Sequence, residues 1–312
     1  MSEGYSSPYH APVMVEEVME RLRPERGGVF LDGTLGGGGH AQALLERGPA
    51  ARLVGVDRDP DALAEAGRRL ARFGERARLV RATYAQAVDA AQIAEGTLEG
   101  VLLDLGISSH QIDQAARGFT FRPGAPLDMR MGQATAGEAS AAELLNTLAE
   151  AELADVFYRY GEEKRSRRLA RVIVQMREEA PFDSSDRLVQ AVEKALPRAD
   201  AGDRARIFQA LRIAVNDEIE QLQDALPRLR DALAPGGVFA VLSYHSLEDR
   251  LVKNAFRDWS RACTCPPGLP ICACGGVAQG ETLTRRSVTA SDDEVARNVR
   301  ARSARLRAWR RA

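Results

Sequence analysis

Lysine is nearly missing from this chain. Lys164, Lys194 and Lys253 are the only three, so arginine carries almost all of the positive charge. No run approaches the roughly 18 consecutive apolar residues of a membrane-spanning helix. The opening stretch MSEGYSSPYHAP has no charged segment followed by an apolar one, which argues against a secretory signal. No Gly-x-x-x-x-Gly-Lys-Ser/Thr occurs, and that removes the P-loop nucleotide reading. A net charge of −1 gives no global basic signature. What is present fits a soluble cytosolic protein: 312 residues with 45% hydrophobic content, enough for one large α/β domain or two smaller ones.

The most informative stretch is Val29 to His40, VFLDGTLGGGGH, an apolar strand running into an acid and then a run of glycines. A second strand, Leu53-Val54-Gly55-Val56, ends on Asp57. Glycines after a first strand let the backbone approach a ligand that a Cβ would block. An acid at the tip of the next strand can accept ribose hydroxyls. Asp32 distinguishes this stretch from a dinucleotide fingerprint: a carboxylate there repels pyrophosphate but suits a ligand with an amino group and a sulfonium. The pattern therefore favours S-adenosylmethionine over NAD.

Periodicity predicts a short helix between His10 and Leu22, a strand over Val29–Leu31, a helix over His40–Glu46 and a strand over Arg52–Val56. Asp59-Pro60 then opens a helix to about Phe73, with Asp as N-cap and Pro at the first helical position. Strands follow at Ala77–Arg81 and Gly100–Leu103, the latter ending in Asp104. Such alternation implies a parallel, doubly wound sheet. From Ser109 to Val215 no convincing strand occurs, only a long loop and helical patterns at Ala141–Tyr158, Arg165–Glu179 and Leu188–Leu196. In the second of these, Leu169, Val172, Ile173 and Met176 form the stripe. The sheet pattern resumes after one long helix carrying Ile207 to Leu226, which Pro227 is expected to kink or end. Ala234 to Gly237 reads as a turn, Val238–Leu242 as a strand and Leu247–Trp259 as a helix. Ser287–Ala290 and Ala304–Trp309 read as a closing antiparallel pair. The expected organisation is a discontinuous domain, residues 1–108 and 216–312, with a helical insert at 109–215.

Charge is unevenly spread. Nine arginines lie between Arg285 and Arg311, and seven basic residues between Arg159 and Arg177. Beside a methyl-donor site, two such clusters point to a polyanionic substrate.

Several strings go beyond a generic methyl-transfer enzyme: His10-Ala11-Pro12-Val13-Met14, Asp32-Gly33-Thr34-Leu35-Gly36, Val56-Asp57-Arg58-Asp59-Pro60, Leu103 to Ser109, Arg117 to Phe121, Pro126 to Met131 and Ser243 to Arg250. Occurring in that order, they resemble the bacterial 16S rRNA cytosine-N4 methyltransferase family over nearly the whole chain. The resemblance implies an α/β class I S-adenosylmethionine-dependent methyltransferase with an inserted helical domain that helps recognise substrate. The implied reaction methylates the exocyclic N4 of a cytidine in the decoding centre of 16S rRNA, the substrate lying within the small ribosomal subunit. It also implies donor contacts at Gly38, Gly39, His40, Asp57, Tyr84, Asp104 and Gln111.

The amino-methylating DNA enzymes' Asp/Asn/Ser-Pro-Pro-Tyr/Phe motif is absent; Asp104-Leu105-Gly106-Ile107 stands in its place. The candidate catalytic residues are Asp104 and His245: Asp104 and the Ser243-Tyr244-His245-Ser246 turn are expected to flank the target base, with His245 following its strand at the same edge of the sheet. The same fold acting on another RNA amine or on a protein, or serving as a non-catalytic assembly scaffold, is the alternative; intact Asp57 and Asp104 weigh against the scaffold. The four cysteines, Cys263, Cys265, Cys272 and Cys274, fall in CTCPPGLPICAC. Four close thiols suit zinc, yet Cys-x-Cys is tighter than the usual ligand spacing, so a metal site and a plain cysteine-bearing loop both stay open and no metal ligand is assigned.

Overall fold

The computed structural model describes residues 5, 12–132, 138–263, 265 and 276–312. Helix α1 (Val15–Leu22) leads into β1 (Gly28–Asp32), and strands then alternate with helices: α2 (Gly39–Arg47), β2 (Ala51–Asp57), α3 (Pro60–Leu70), β3 (Ala77–Arg81), α4 (Ala87–Ala90) and β4 (Leu98–Asp104). Helices alone come next: α5 (Ser109–Asp113), α6 (Ala141–Thr147), α7 (Glu150–Arg159), α8 (Ser166–Glu179), α9 (Ser185–Ala195) and α10 (Ala201–Asn216). The chain returns through α11 (Glu218–Ala232) to β5 (Leu233–Ser243), α12 (Ser246–Trp259), β6 (Gly280–Thr282), β7 (Val288–Thr289), α13 (Asp292–Arg297) and β8 (Arg305–Arg311). It forms two compact units, Met1–Gly106 with Glu220–Ala312, and Ile107–Ile219.

In the first unit the strands run in the order β3-β2-β1-β4-β5-β8-β6, with β7 also on β8. The first five are parallel to their neighbours, and β8 is antiparallel to β5. Chain order reverses between β1 and β4, so the connections leaving their carboxyl ends part there and open a crevice. Strands buried on both faces read as continuous apolar runs, as in Val101-Leu102-Leu103 and Val238 to Leu242, all buried. Asp59 caps α3 as expected, its side chain accepting from the Asp61 N–H with Pro60 at the first position.

Two expectations are corrected. The long helix through Ile207 and Leu226 is two helices, broken at Asp217, whose φ of 50 no continuing helix tolerates. Of the two outcomes expected of Pro227, ending the helix is not the one found: it lies inside α11, which runs on to Ala232 and forgoes one backbone bond. The expected turn at Ala234–Gly237 is an excursion within β5: Leu98 pairs with Leu233 and Gly100 with Val238, so four residues of β5 face one of β4. Beyond β5, the antiparallel pair β7–β8 forms as read, and β6 adds a three-residue strand that the sequence did not signal.

The tail closes one side of the core. Trp309 is fully buried, with Trp259 edge-on at 5.3 Å and Phe256 stacked at 6.4 Å. Its indole N–H donates to Ser260 Oγ at 3.1 Å. Trp309→Ala is expected to lower stability by about 3–5 kcal/mol, read as a fall in the urea midpoint; an unchanged midpoint would show that β8 contributes nothing to the cooperative core.

The second unit has its own core. Leu169, Ile173 and Met176 of α8 are buried and Val172 partly so, packed with Leu153, Phe157, Leu188 and Leu211. Among its described residues the only extended pairing is the isolated bridge Pro126–Ser184. No helix among the described residues is long and apolar enough to cross a membrane.

Candidate active site at the carboxyl edge of the sheet

β1, β2 and β4 each end on an aspartate: Asp32, Asp57 and Asp104. Asp57 is fixed by its surroundings. Its Oδ2 accepts from the Gly36 N–H and its Oδ1 from the Asp59 N–H, both at 2.8 Å. A carboxylate has about four lone-pair positions, so two remain for a ligand diol. Burial pushes Asp57 from 3.8 up to about 6, although both amides pull it down and Asp59 adds to the rise.

Asp32, only 2% exposed, is pushed from 3.8 to about 7, first by burial and then by the charges of Asp104 and Asp57; the Thr34 N–H bond opposes this. Thr34 ties the two edges together, its hydroxyl accepting from the Asp104 N–H at 2.5 Å. Asp104 is also raised by burial and by Glu248, against the lowering influence of His40 and Tyr244. Tyr244 donates its hydroxyl to Asp104 Oδ1 at 2.7 Å. Burial first, then the charge of Asp104 and that bond, hold the Tyr244 phenol well above 10. His40 Nδ1 stands 3.6 Å from Asp104 Oδ2, while His40 Nε2 lies 2.8 Å from the Val13 carbonyl. A carbonyl only accepts, so Nε2 donates to it, and Nδ1 faces the carboxylate.

Carboxylates that raise one another's pKa are stabilised together by a cation among them, and a phosphate there would be repelled. The residues present thus fit a cationic donor and not a pyrophosphate.

The glycine run divides its work. Gly36 has φ +52 and Gly38 φ +77, conformations that side chains rarely adopt. A Cβ on Gly38 would meet Ala66 at 3.3 Å and one on Gly39 would meet Pro12 at 2.8 Å, so those two also let α2 pack closely. A Cβ on Gly33 would lie 3.2 Å from the Tyr84 Cβ, which places half-buried Tyr84 beside the end of β1. His40 is held by its ring as described. Sequence reading gave Thr34 no role, and it placed Tyr244 in the turn flanking the base without its bond to Asp104. The available signals were a hydroxyl between the acid and the glycines, and an aromatic just beyond the strand neighbouring β4.

His245 is the residue preceding α12, but its ring makes no capping bond. The side chain is 8% exposed, with Nε2 3.1 Å from Glu248 Oε1. The two are out of hydrogen-bond alignment, so neither ring nitrogen has a hydrogen-bond partner among the described residues. Glu248 instead accepts from the Tyr244 N–H at 3.0 Å. Gln111 belongs to the helical unit. There Ser108 and Gln111 form a capping box, Oε1 accepting from the Ser108 N–H and Nε2 donating to the Met131 carbonyl. Both ends of that amide are engaged in ordering its own loop.

The basic tail is partly framework. Arg307 forms a two-bond pair with Asp249, Arg310 pairs with Glu281, and Arg311 donates to the Asp231 carbonyl at 2.6 Å. In α8, Arg167, Arg168 and Arg171 are exposed. Cys263 is exposed and Cys265 partly so, and Cys272 and Cys274 lie outside the described residues, as does the zinc question with them.

Relatives agree with the architecture. A protein from Gemmatimonas aurantiaca named ribosomal RNA small subunit methyltransferase H is 54% identical over 99% of this chain and 97% of its own length. One of the same name from Heliobacterium mobile is 48% identical over 96% and 97%, and one from Anaeromyxobacter sp. strain K is 52% identical over 96% of each. With the doubly wound sheet and its acid-tipped strands in place, and with the family model matched over residues 7–312, the chain belongs to the MraW methylase family.

Proposed function

We propose that this protein transfers a methyl group from S-adenosylmethionine to the exocyclic N4 of a cytidine in the decoding centre of 16S rRNA, within the small ribosomal subunit. The observation that carries this reading is the set of carboxylates tipping β1, β2 and β4 in a chain of this family. In it, Asp57 receives the ribose hydroxyls and Tyr84 offers a π face to the adenine. Asp32 offsets the donor's positive charge, and the Gly38-Gly39-His40 backbone lines its approach. The helical unit recognises the RNA.

When bound, the donor supplies an electrophilic methyl group on a cationic sulfur. The protein's task is to prepare the other reactant. Cytosine N4 is a poor nucleophile because its lone pair is conjugated into the ring, so it must be held in line and relieved of a proton. Asp104 accepts the hydrogen bond from the amine and then its proton. Its raised pKa makes it a stronger base than an ordinary aspartate, Tyr244 fixes its orientation, and His40 stands at its second oxygen. His245 follows β5 at the same edge and acts as a second contact to the base. The base must leave any helical stack to reach them.

The test is incubation with radiolabelled S-adenosylmethionine and small subunits from cells lacking the enzyme, with free 16S rRNA in parallel, followed by digestion to nucleosides. Label is expected in N4-methylcytidine, and more strongly from subunits. Label in another nucleoside, or none with donor binding intact, would send the assignment to a different acceptor.

A further inference from the structure

At the opposite edge of the same sheet, Arg21, Arg23, Arg26 and Arg310 line a small cleft with Glu99. It flanks the starts of β4 and β5 and the end of β8. Along the four steps of β1 from Gly28 to Asp32 this places it about 13 Å from Asp32. Arginines at the end of α1 complement the helix dipole, but one cation satisfies that need. The cleft holds more. The Nε–H groups of Arg21 and Arg310 are buried and have no hydrogen-bond partner among the described residues. Buried donors are nearly always paired, because leaving one unpaired forfeits its bond to water. Among the described residues, Arg21, Arg23 and Arg26 make no side-chain hydrogen bond or ion pair; only Arg310 is partnered, through Nη1, by exposed Glu281. Arg23 and Arg26 are exposed at the mouth and Arg21 is half-buried. Four guanidinium groups against one carboxylate leave the lining strongly positive.

We infer that this cleft is a phosphate subsite that takes a backbone phosphodiester of the RNA substrate, at a distance from the reacting base. A guanidinium fork matches phosphate oxygens geometrically. The enclosed part is narrow, so no more than one phosphate oxygen enters beside Arg21 and Arg310 while the rest sits at the mouth against Arg23 and Arg26. A contact this far from the donor edge lies beyond the target nucleotide itself, so the phosphate it takes belongs to a neighbouring part of the RNA. This rests on the ribosomal reading above and adds a second anchoring point to it.

The test is equilibrium binding of purified small subunits, without donor, to wild type, to Arg23→Gln/Arg26→Gln and to Arg21→Gln across potassium chloride concentrations. The double variant changes only exposed side chains and guards against a folding defect in the other. Each variant is expected to bind roughly three- to tenfold more weakly, and the logarithmic salt slope to fall by up to about one in either, because a single phosphate contact is lost. Donor affinity should not change. In parallel melts, inorganic phosphate should stabilise wild type beyond chloride at equal ionic strength and should lose that effect in both variants. Unchanged subunit affinity and slope overturn the proposal. A phosphate effect without a subunit effect also overturns it, by making the cleft a small-anion site. If wild type neither binds nor labels subunits, it is the ribosomal reading that has failed; phosphate-dependent stabilisation lost in the variants then still supports the oxyanion site, and its absence overturns that too.

Discussion

Asp104→Asn is expected to slow single-turnover methylation at saturating donor roughly a hundred- to ten-thousandfold, the range for removing a general base, beyond the weaker donor binding that follows from taking one charge out of the carboxylate cluster. The amide keeps the carboxylate's shape and can still accept the Tyr244 hydroxyl at one end. Its other end becomes an NH2 group of nearly the same size, 3.6 Å from His40 Nδ1. The fold and the local bonding therefore survive, and what is lost is the ability to take a proton. Tyr244→Phe should act through Asp104. Its hydroxyl lowers the Asp104 pKa, so removing it raises that value further. The rate should then rise with pH over a higher range than in wild type. A merely structural Tyr244 would lower the rate without moving the profile. His245→Ala belongs in the same series, and an unchanged rate would remove His245 from the mechanism. An Asp104→Asn rate within a few-fold of wild type would end the base assignment.

The parts of this site that a sequence reveals are those made by one segment. Asp32, the glycine run and Asp57 stand within strand-to-helix junctions whose periodicity is strong on both sides, and the Asp59-Pro60 cap marks the second junction unambiguously. Tyr244 and Thr34 were hidden because their roles exist only across strands. Tyr244 matters because β5 lies beside β4, with Asp104 paired to Leu242, and Thr34 because its hydroxyl reaches the backbone of β4. The split at Asp217 was hidden for another reason. Ile207 through Leu226 keeps one apolar stripe, and a single left-handed residue changes the helix direction without interrupting the pattern. The three-residue β6 has too few positions to show alternation. Conversely, the arginines of the tail looked uniform in sequence. Only the pairing of β8 separates Arg307 and Arg311, which hold the framework, from those facing outward.

Asp32→Asn should make the ligand-free protein more stable and nearly abolish its function. The Asp32 carboxyl is held up from 3.8 to about 7, by burial first and by Asp104 and Asp57 next. An acid whose folded pKa lies above its unfolded one binds more protons when folded. Its contribution is therefore favourable below about pH 4 and is lost as pH rises through about 7. At pH 8 the buried charge costs the folded state on the order of 2–4 kcal/mol. Asparagine removes that cost and can keep the bond from the Thr34 N–H. Recovering about 2 kcal/mol should raise the melting temperature by roughly 4–8 °C. The same charge is what a sulfonium donor needs, so affinity for S-adenosylmethionine should fall by about 30-fold or more. Wild-type affinity should climb between pH 5.5 and 8 as Asp57, near 6, and Asp32, near 7, ionise. S-adenosylhomocysteine, whose sulfur is neutral, should show a shallower climb, and in Asp32→Asn the part of the slope near pH 7 should disappear. Calorimetric titrations of both ligands across that range, with melts of the ligand-free proteins, read all of these together. A lower melting temperature in the variant, or identical pH slopes for the two ligands, would mean that Asp32 is a structural acid, with the donor's positive charge balanced elsewhere.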